Sequence, residues 1–202
     1  MSLNEILPQK TILIFDLDGT IVDLKVDWDK LKGILNERFS KIYEDSCGFE
    51  SISACLSYVV SKNDKEELLN FIDIIREFEL KKIEEIKVIS ETVYFINNLD
   101  EFGVPKNVKL AILSLNTRDV IKKSLKKANI LNKFEILVGR EDVRRWKPEP
   151  EGLIKIQRYF NANPQEMIYF GDLKKDVITG QNAGISAFLI DEIIDLVRQK
   201  KS

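Results

Sequence analysis

Apolar positions along the chain follow two alternating patterns. Short, nearly continuous runs rich in β-branched and aromatic residues occupy 11–17, 109–115, 134–138, 167–170 and 186–190. Such runs predict strands buried on both faces, as in a parallel sheet. Helical periodicity separates the last four. One helix is expected over 117–128 with Thr117 as N-cap, and a second over 148–160 with Pro148 at its start. A third is expected over 174–183, stopped by Gly184. Strands alternating with helices predict an α/β fold built on a doubly wound parallel sheet, with a Rossmann-like core.

One connection is far longer than an ordinary crossover. Between the first strand and Lys109 the pattern is mostly helical. Trp28, Leu31, Leu35, Phe39 and Ile42 form one apolar stripe. Asp64 with Glu67 predicts the capped start of a second helix carrying Leu68, Ile72, Ile75 and Phe78, and the segment runs on to Ile86. Residues 90–102 predict a further helix, stopped by Gly103 and Pro105. The expected division is therefore a core of residues 1–23 and 87–202, with an inserted α-helical cap over 24–86. The cap carries ten basic and fourteen acidic residues between Lys25 and Glu85, so it is acidic on balance.

Composition narrows the chemistry. The 202 residues contain no histidine, which excludes Ser-His-Asp and Cys-His hydrolysis and every His-ligated metal site. Two cysteines cannot complete a zinc site without histidine; Cys47 and Cys55 are expected to be free, half-buried thiols. With 31 Lys+Arg against 33 Asp+Glu, the net charge of −2 argues against a nucleic-acid partner. No apolar run is long enough to cross a bilayer and residues 1–10 lack a signal-peptide layout, so no membrane partner and a cytoplasmic location are expected. Nothing in the sequence sets an oligomeric state. Catalysis is left to carboxylates, hydroxyls, amines or an oxygen-bound metal.

In an open parallel sheet, ligands bind beyond the carboxyl ends of the strands. The first strand ends in Asp16-Leu17-Asp18-Gly19-Thr20. Alternation puts Asp16 and Asp18 on one face, where two close carboxylates favour one charged and one protonated group. A solvated acidic turn would look similar, but an EF-hand is excluded by the glycine offset and the buried strand before it. The second strand ends at Ser114 and Asn116, offering a hydroxyl and an amide. Lys147 precedes Pro148, which holds it out of helical geometry. The fourth strand ends in Gly171-Asp172, with Asp176 one turn into the next helix. Paired aspartates, a lysine and a hydroxyl suit Mg²⁺ and a phosphoryl group. Lys25, Arg118 and Arg140 lie near strand ends; they are read as surface cations with the reach to meet a substrate carboxylate. Lys122, Lys123, Lys126 and Lys127 are read as a solvated helix face.

These four separated groups, in this order, resemble the motifs of the haloacid dehalogenase superfamily of phosphatases. The likeness covers roughly 11–20 and 109–190, and the insertion is similar to the helical cap of its phosphoglycolate-phosphatase-like branch. The resemblance implies a Mg²⁺-dependent phosphatase of a small soluble phosphate monoester, such as phosphoglycolate or a sugar phosphate. In that scheme Asp16 is the nucleophile that becomes an aspartyl-phosphate, and Asp18 is the general acid and base. Ser114, Lys147 and Asn116 bind phosphate. Asp16, the Asp18 backbone carbonyl, Asp172 and Asp176 serve the metal, with Thr20 and Gly171 in supporting places. The dehalogenases of the family lack the second aspartate, so Asp18 favours phosphate esters. A phosphomutase of the same fold is the alternative; a non-enzymatic phosphate-binding or receiver-like module is the other.

Overall fold

The computed structural model describes residues 2–44, 47, 49 and 51–201. Five parallel strands form the central sheet: β1 (Ile12–Phe15), β4 (Lys109–Leu113), β5 (Phe134–Val138), β6 (Met167–Gly171) and β7 (Ser186–Leu189). Their order is β5-β4-β1-β6-β7, so the first strand in sequence is the central one. The chain steps outward from β1 to β5, then returns to pair β6 on the other side of β1. The direction of winding therefore reverses at β1, and the crevice of a doubly wound sheet opens between β1 and β6. Register aligns Phe15 with both Ile112 and Phe170, which brings the ends of the three central strands level.

Alternation along β1 assigns the two faces. Leu13 and Phe15 pack with Phe95, Ile96, Val120, Ile121, Ile193 and Val197. Those residues come from α5 (Ser90–Asn97), α6 (Arg118–Lys127) and α9 (Asp191–Lys201). Ile12 and Ile14 face the other way, joining Leu153 and Ile156 of α7 (Glu151–Phe160) and the insertion helices in a second apolar cluster. The helix α8 (Lys174–Ala183) follows β6 and ends at Gly184 in the left-handed conformation, as expected.

The long connection holds α2 (Trp28–Tyr43), α3 (Ile52–Ser61) and α4 (Lys65–Leu80). A two-residue antiparallel ribbon brackets it, β2 (Val22–Asp23) pairing with β3 (Lys87–Val88). Asp64 caps α4 as expected, its Oδ1 accepting from the Glu67 amide at 3.0 Å. No described helix is long and apolar enough to cross a membrane.

Several expectations are corrected. Cys47 and Cys55 are joined in a disulfide. A single local bridge needs neither a zinc motif nor a framework, only a close approach, and the Cα atoms lie 5.7 Å apart, within the usual range. The expected helix over 90–102 ends at Asn97, with a 3₁₀ turn over Leu99–Phe102. Asn98 breaks it by donating its side-chain amide to the Tyr94 carbonyl at 2.8 Å. The helix expected from Pro148 starts at Glu151, after a turn closed by the Glu149 amide on the Trp146 carbonyl. Ile42 is exposed rather than part of the α2 stripe, whereas Leu31, Leu35 and Phe39 are fully buried.

Phe15 is fully buried, stacked on Phe170 and edge-on to Phe95 and Phe134. Truncating such a ring leaves a cavity that the sheet cannot close, at a cost of about 3–5 kcal/mol. Phe15→Ala should lower the chemical-denaturation stability by that amount, while Tyr159→Ala on the exposed side of α7 should change it by less than about 0.5 kcal/mol.

Candidate active site

The site grows from the end of β1. The Asp16 amide still donates to the Phe170 carbonyl, at 2.8 Å, so the ladder fixes its backbone one residue past the strand. Parity sends its side chain to the face of Ile12 and Ile14. There Asp16 Oδ2 lies 2.7 Å from Lys147 Nζ, and Oδ1 accepts from the Leu17 amide at 2.7 Å. The same ammonium lies 2.7 Å from Asp176 Oδ1 and donates to the Tyr169 hydroxyl at 2.9 Å. Tyr169 donates to Asp176 Oδ1 at 2.9 Å, and Asp176 Oδ2 accepts from the Leu173 amide at the start of α8. One ammonium thus joins the ends of two strands and a helix. Burial works against the Lys147 charge, but Asp16 and Asp176 outweigh it and hold its pKa above the usual value. Burial raises Asp16, and Asp176 adds to that; Lys147 opposes both.

Gly19 makes the turn out of the sheet. Its φ of +74° suits glycine, and a Cβ there would sit 2.4 Å from Asp172 Oδ2. The glycine therefore lets the loop after β1 close on the loop after β6. Gly171 does the same for Asp176, whose Cγ would lie 2.3 Å from an added Cβ. Asp18 Oδ1 accepts from the Leu24 amide at 2.8 Å, tying it to the first residues of the insertion. Burial, only partly offset by that hydrogen bond and reinforced by Asp16, pushes its carboxyl up to about 6. Burial together with Asp16 and Asp176 pushes Asp172 up to about 6 as well.

Carboxylate oxygens of Asp16, Asp172 and Asp176 lie within 4.8 Å of one another. The donor set is all oxygen and hard. Three carboxylates around one ammonium leave two negative charges uncompensated, so a divalent cation fits both the chemistry and the charge. The Asp18 carboxylate stands outside this group.

Across the crevice, Ser114 Oγ donates to Asn116 Oδ1 at 2.9 Å and accepts from the Asn116 amide at 3.2 Å. The Asn116 side-chain nitrogen donates to Glu79 Oε1 at 2.8 Å. Thr117 stands at the N-cap position of α6, but its hydroxyl and amide both donate to Glu79 Oε2, at 3.0 and 3.2 Å. The cap role passes to Glu141, which accepts from the Arg118 amide. Glu79 belongs to α4 and is fully buried, so the insertion reaches in and holds the loop after β4. Burial pushes its carboxyl up; Arg140 and the Asn116 and Thr117 hydrogen bonds pull it down. Thr20 is buried with its hydroxyl unpartnered among the described residues.

A cavity of about 450 Å³ opens over these strand ends. Asp16, Asp18, Ser114, Asn116 and Asp172 line its floor, with Arg140 and Lys175; Trp28 and Lys32 of α2 and Ser51–Ser53 at the start of α3 supply the far wall. Lys147 is below the floor, its side chain only 2% exposed. The sequence reading missed Tyr169, Glu79 and the burial of Arg140. Tyr169 carried a signal: it shares strand parity with Met167 and Gly171, so its hydroxyl had to meet a buried polar group. Glu79 carried another, since it continues the Leu68, Ile72, Ile75 stripe by four residues where Phe78 was expected. Arg140 carried none, because its burial depends on elements distant in sequence.

Residues 13–190 match the family described as haloacid dehalogenase-like hydrolase. A relative from Bacillus mycoides, named pyrophosphatase PpaX, is 29% identical over 174 residues, covering 85% of this chain and 79% of its own. Among solved structures, a candidate haloacid dehalogenase-like hydrolase from Bacteroides fragilis aligns with a TM-score of 0.62 at 24% identity, covering 88% of this chain and 86% of that one. The L-2-haloacid dehalogenase of Xanthobacter autotrophicus aligns with a TM-score of 0.56 at 16% identity, over 88% and 76% of the two chains. With the match spanning nearly the whole sheet and every strand end that builds the site, the chain belongs to the haloacid dehalogenase-like hydrolase family.

Proposed function

We propose that the protein is a Mg²⁺-dependent phosphatase of small phosphate monoesters, working through an aspartyl-phosphate on Asp16. The observation that carries this reading is the pair of aspartates on one cavity floor. Asp16 is held against a buried ammonium, whereas Asp18 has a carboxyl pushed up to about 6. Nucleophile and general acid need that division. In this scheme an Asp16 oxygen attacks phosphorus and the bond to the ester oxygen breaks. Asp18 delivers a proton to that leaving oxygen, then takes one from the water that hydrolyses the acyl phosphate. Ser114 would turn its hydroxyl from Asn116 Oδ1 to the phosphoryl oxygens, and Lys147 balances Asp16 and Asp176 from below. Asn116, with both ends of its amide engaged, orders the loop that presents Ser114. Asp16, Asp172 and the Asp18 carbonyl would hold Mg²⁺, with Asp176 ordering a water on it, and the ion would neutralise charge on the phosphoryl oxygens.

Residues 24–86 act in this reading as a cap over the core of 1–23 and 87–202. A cavity of about 450 Å³ holds a small ester, and the absence of excess positive charge agrees with such a substrate. The relative's pyrophosphatase name supports phosphoryl transfer to water as the reaction class. A leaving halide needs no proton, so the placement of Asp18 on the floor speaks against dehalogenation. A cytoplasmic location goes with such a substrate.

Asp16→Asn should abolish turnover of an aryl phosphate with the circular dichroism spectrum preserved; full activity in that variant would refute the covalent scheme. The pH profile gives a second test. An acid with its pKa near 6 is protonated below that value and loses its proton above it. For an alkyl phosphate, kcat should therefore fall as pH rises through about 6. Asp18→Asn should cost about 10²–10⁴-fold on that ester and far less on an aryl phosphate with a good leaving group.

Metal binding has the opposite sign. Divalent cations bind the deprotonated carboxylate, so the proton on Asp172 competes below about 6. Mg²⁺ should raise the melting temperature at pH 7.5, and the increment should shrink as pH falls through 6. Asp172→Asn should remove most of it.

A further inference from the structure

Arg140 follows Gly139 at the end of β5 and was expected on the surface; it is only 3% exposed. Its main chain is fixed from both sides. The Arg140 amide donates to the Asn116 carbonyl at 2.9 Å, and the Arg140 carbonyl accepts from the indole nitrogen of buried Trp146 at 2.8 Å. Its guanidinium is nevertheless not satisfied: Nε and Nη1 are buried with no hydrogen-bond partner among the described residues. Glu79 faces it electrostatically, yet that carboxylate spends its oxygens on Asn116 and Thr117. A buried cation with two unpaired donors is costly unless a ligand completes it. Arg140 lines the same cavity as Asp16 and Ser114, with Lys175 and Lys32 as further cations of the wall.

We propose that Arg140 is a specificity-determining residue for a second anionic oxo group on the substrate, a carboxylate or a second phosphoryl group, held beside the phosphoryl group that Asp16 attacks. The proposal rests on the phosphatase reading and names its substrate class: a compact phosphate ester or anhydride carrying a second anion. The guanidinium fork matches two oxygens of either group. Lys175 adds unpaired positive charge, since it forms no salt bridge among the described residues. Lys32 is already engaged by Asp29 at 3.5 Å and serves as a wall cation only. Arg140 lines the same cavity of about 450 Å³ as Asp16, so both anionic groups of such a ligand would lie within it.

The test measures kcat/KM with Mg²⁺ for pyrophosphate, for 2-phosphoglycolate and for an aryl phosphate without a second anion. Wild type is compared with Arg140→Met and Arg140→Lys; the lysine variant keeps a positive charge beside Glu79 and so guards against misfolding. The expected result is a fall of about ten-fold or more in the ratio of kcat/KM on the substrates with a second anionic group to that on the aryl phosphate for Arg140→Met, with a smaller fall for Arg140→Lys. Loss on pyrophosphate alone identifies the second group as phosphoryl; loss on phosphoglycolate alone identifies a carboxylate. A parallel fall on all three substrates, or an unchanged ratio in folded variants, overturns the proposal. If wild type turns over none of them, the phosphatase reading fails separately. Calorimetry then decides: pyrophosphate or phosphoglycolate must bind at least ten-fold tighter than inorganic phosphate, and lose that margin in Arg140→Met and less of it in Arg140→Lys, or the subsite is refuted as well.

Discussion

The ammonium of Lys147, held between the carboxylates of Asp16 and Asp176 and almost entirely out of water, organises the rest of the site. Three charges buried this deeply are tolerable only when each is paired and hydrogen-bonded, because the interior offers no water to replace the lost shell. Tyr169 and the Leu173 amide complete that bonding, and with them the ends of β1, β6 and α8 are drawn to one point. Removing the ammonium would leave two adjacent buried carboxylates repelling each other, with a third at Asp172. Burial first, and the neighbouring carboxylates after it, push Asp172 and Asp18 up to about 6, where a carboxyl can exchange a proton near neutrality.

A second buried carboxylate couples the insertion to the core. Glu79 leaves the last turn of α4 and accepts three hydrogen bonds from Asn116 and Thr117, the residues that follow Ser114. The loop that presents Ser114 is therefore shaped partly by the module that walls the cavity. Any displacement of α4 would strand Glu79 without donors and release Asn116, so the geometry of the floor and the position of the wall are not independent. Asp18 makes the complementary tie through the Leu24 amide, at the other end of the connection.

Between these two anchors the cavity is lined by both signs of charge: the carboxylates gather at the ends of β1 and β6, where a cation fits, and Arg140 and Lys175 line the same cavity as cations. A ligand with one phosphoryl group and one further negative group would meet both, which joins the proposed reaction to the proposed specificity in one volume.

The sequence by itself determined the sheet, the long helical connection after its first strand and the carboxylates at the strand ends. Runs such as ILIF and MIYF are apolar on both faces and have no other stable place than a covered parallel strand, and Gly19 and Gly184 mark turns that only glycine makes easily. Asp16, Asp18, Asp172 and Asp176 were legible because they stand at fixed offsets from those strands. What depended on contacts between distant segments was not legible. Glu79 reads as one acid among many in its helix until α4 meets the loop after β4, and Arg140 reads as a surface cation until its amide is tied to Asn116 and its guanidinium faces Glu79 of α4. The disulfide between Cys47 and Cys55 likewise depends on how the chain turns into α3. Local pattern fixes which face a residue takes; whether a charge ends beside another charge, a carbonyl or an empty cavity is decided only when elements far apart in sequence pack together.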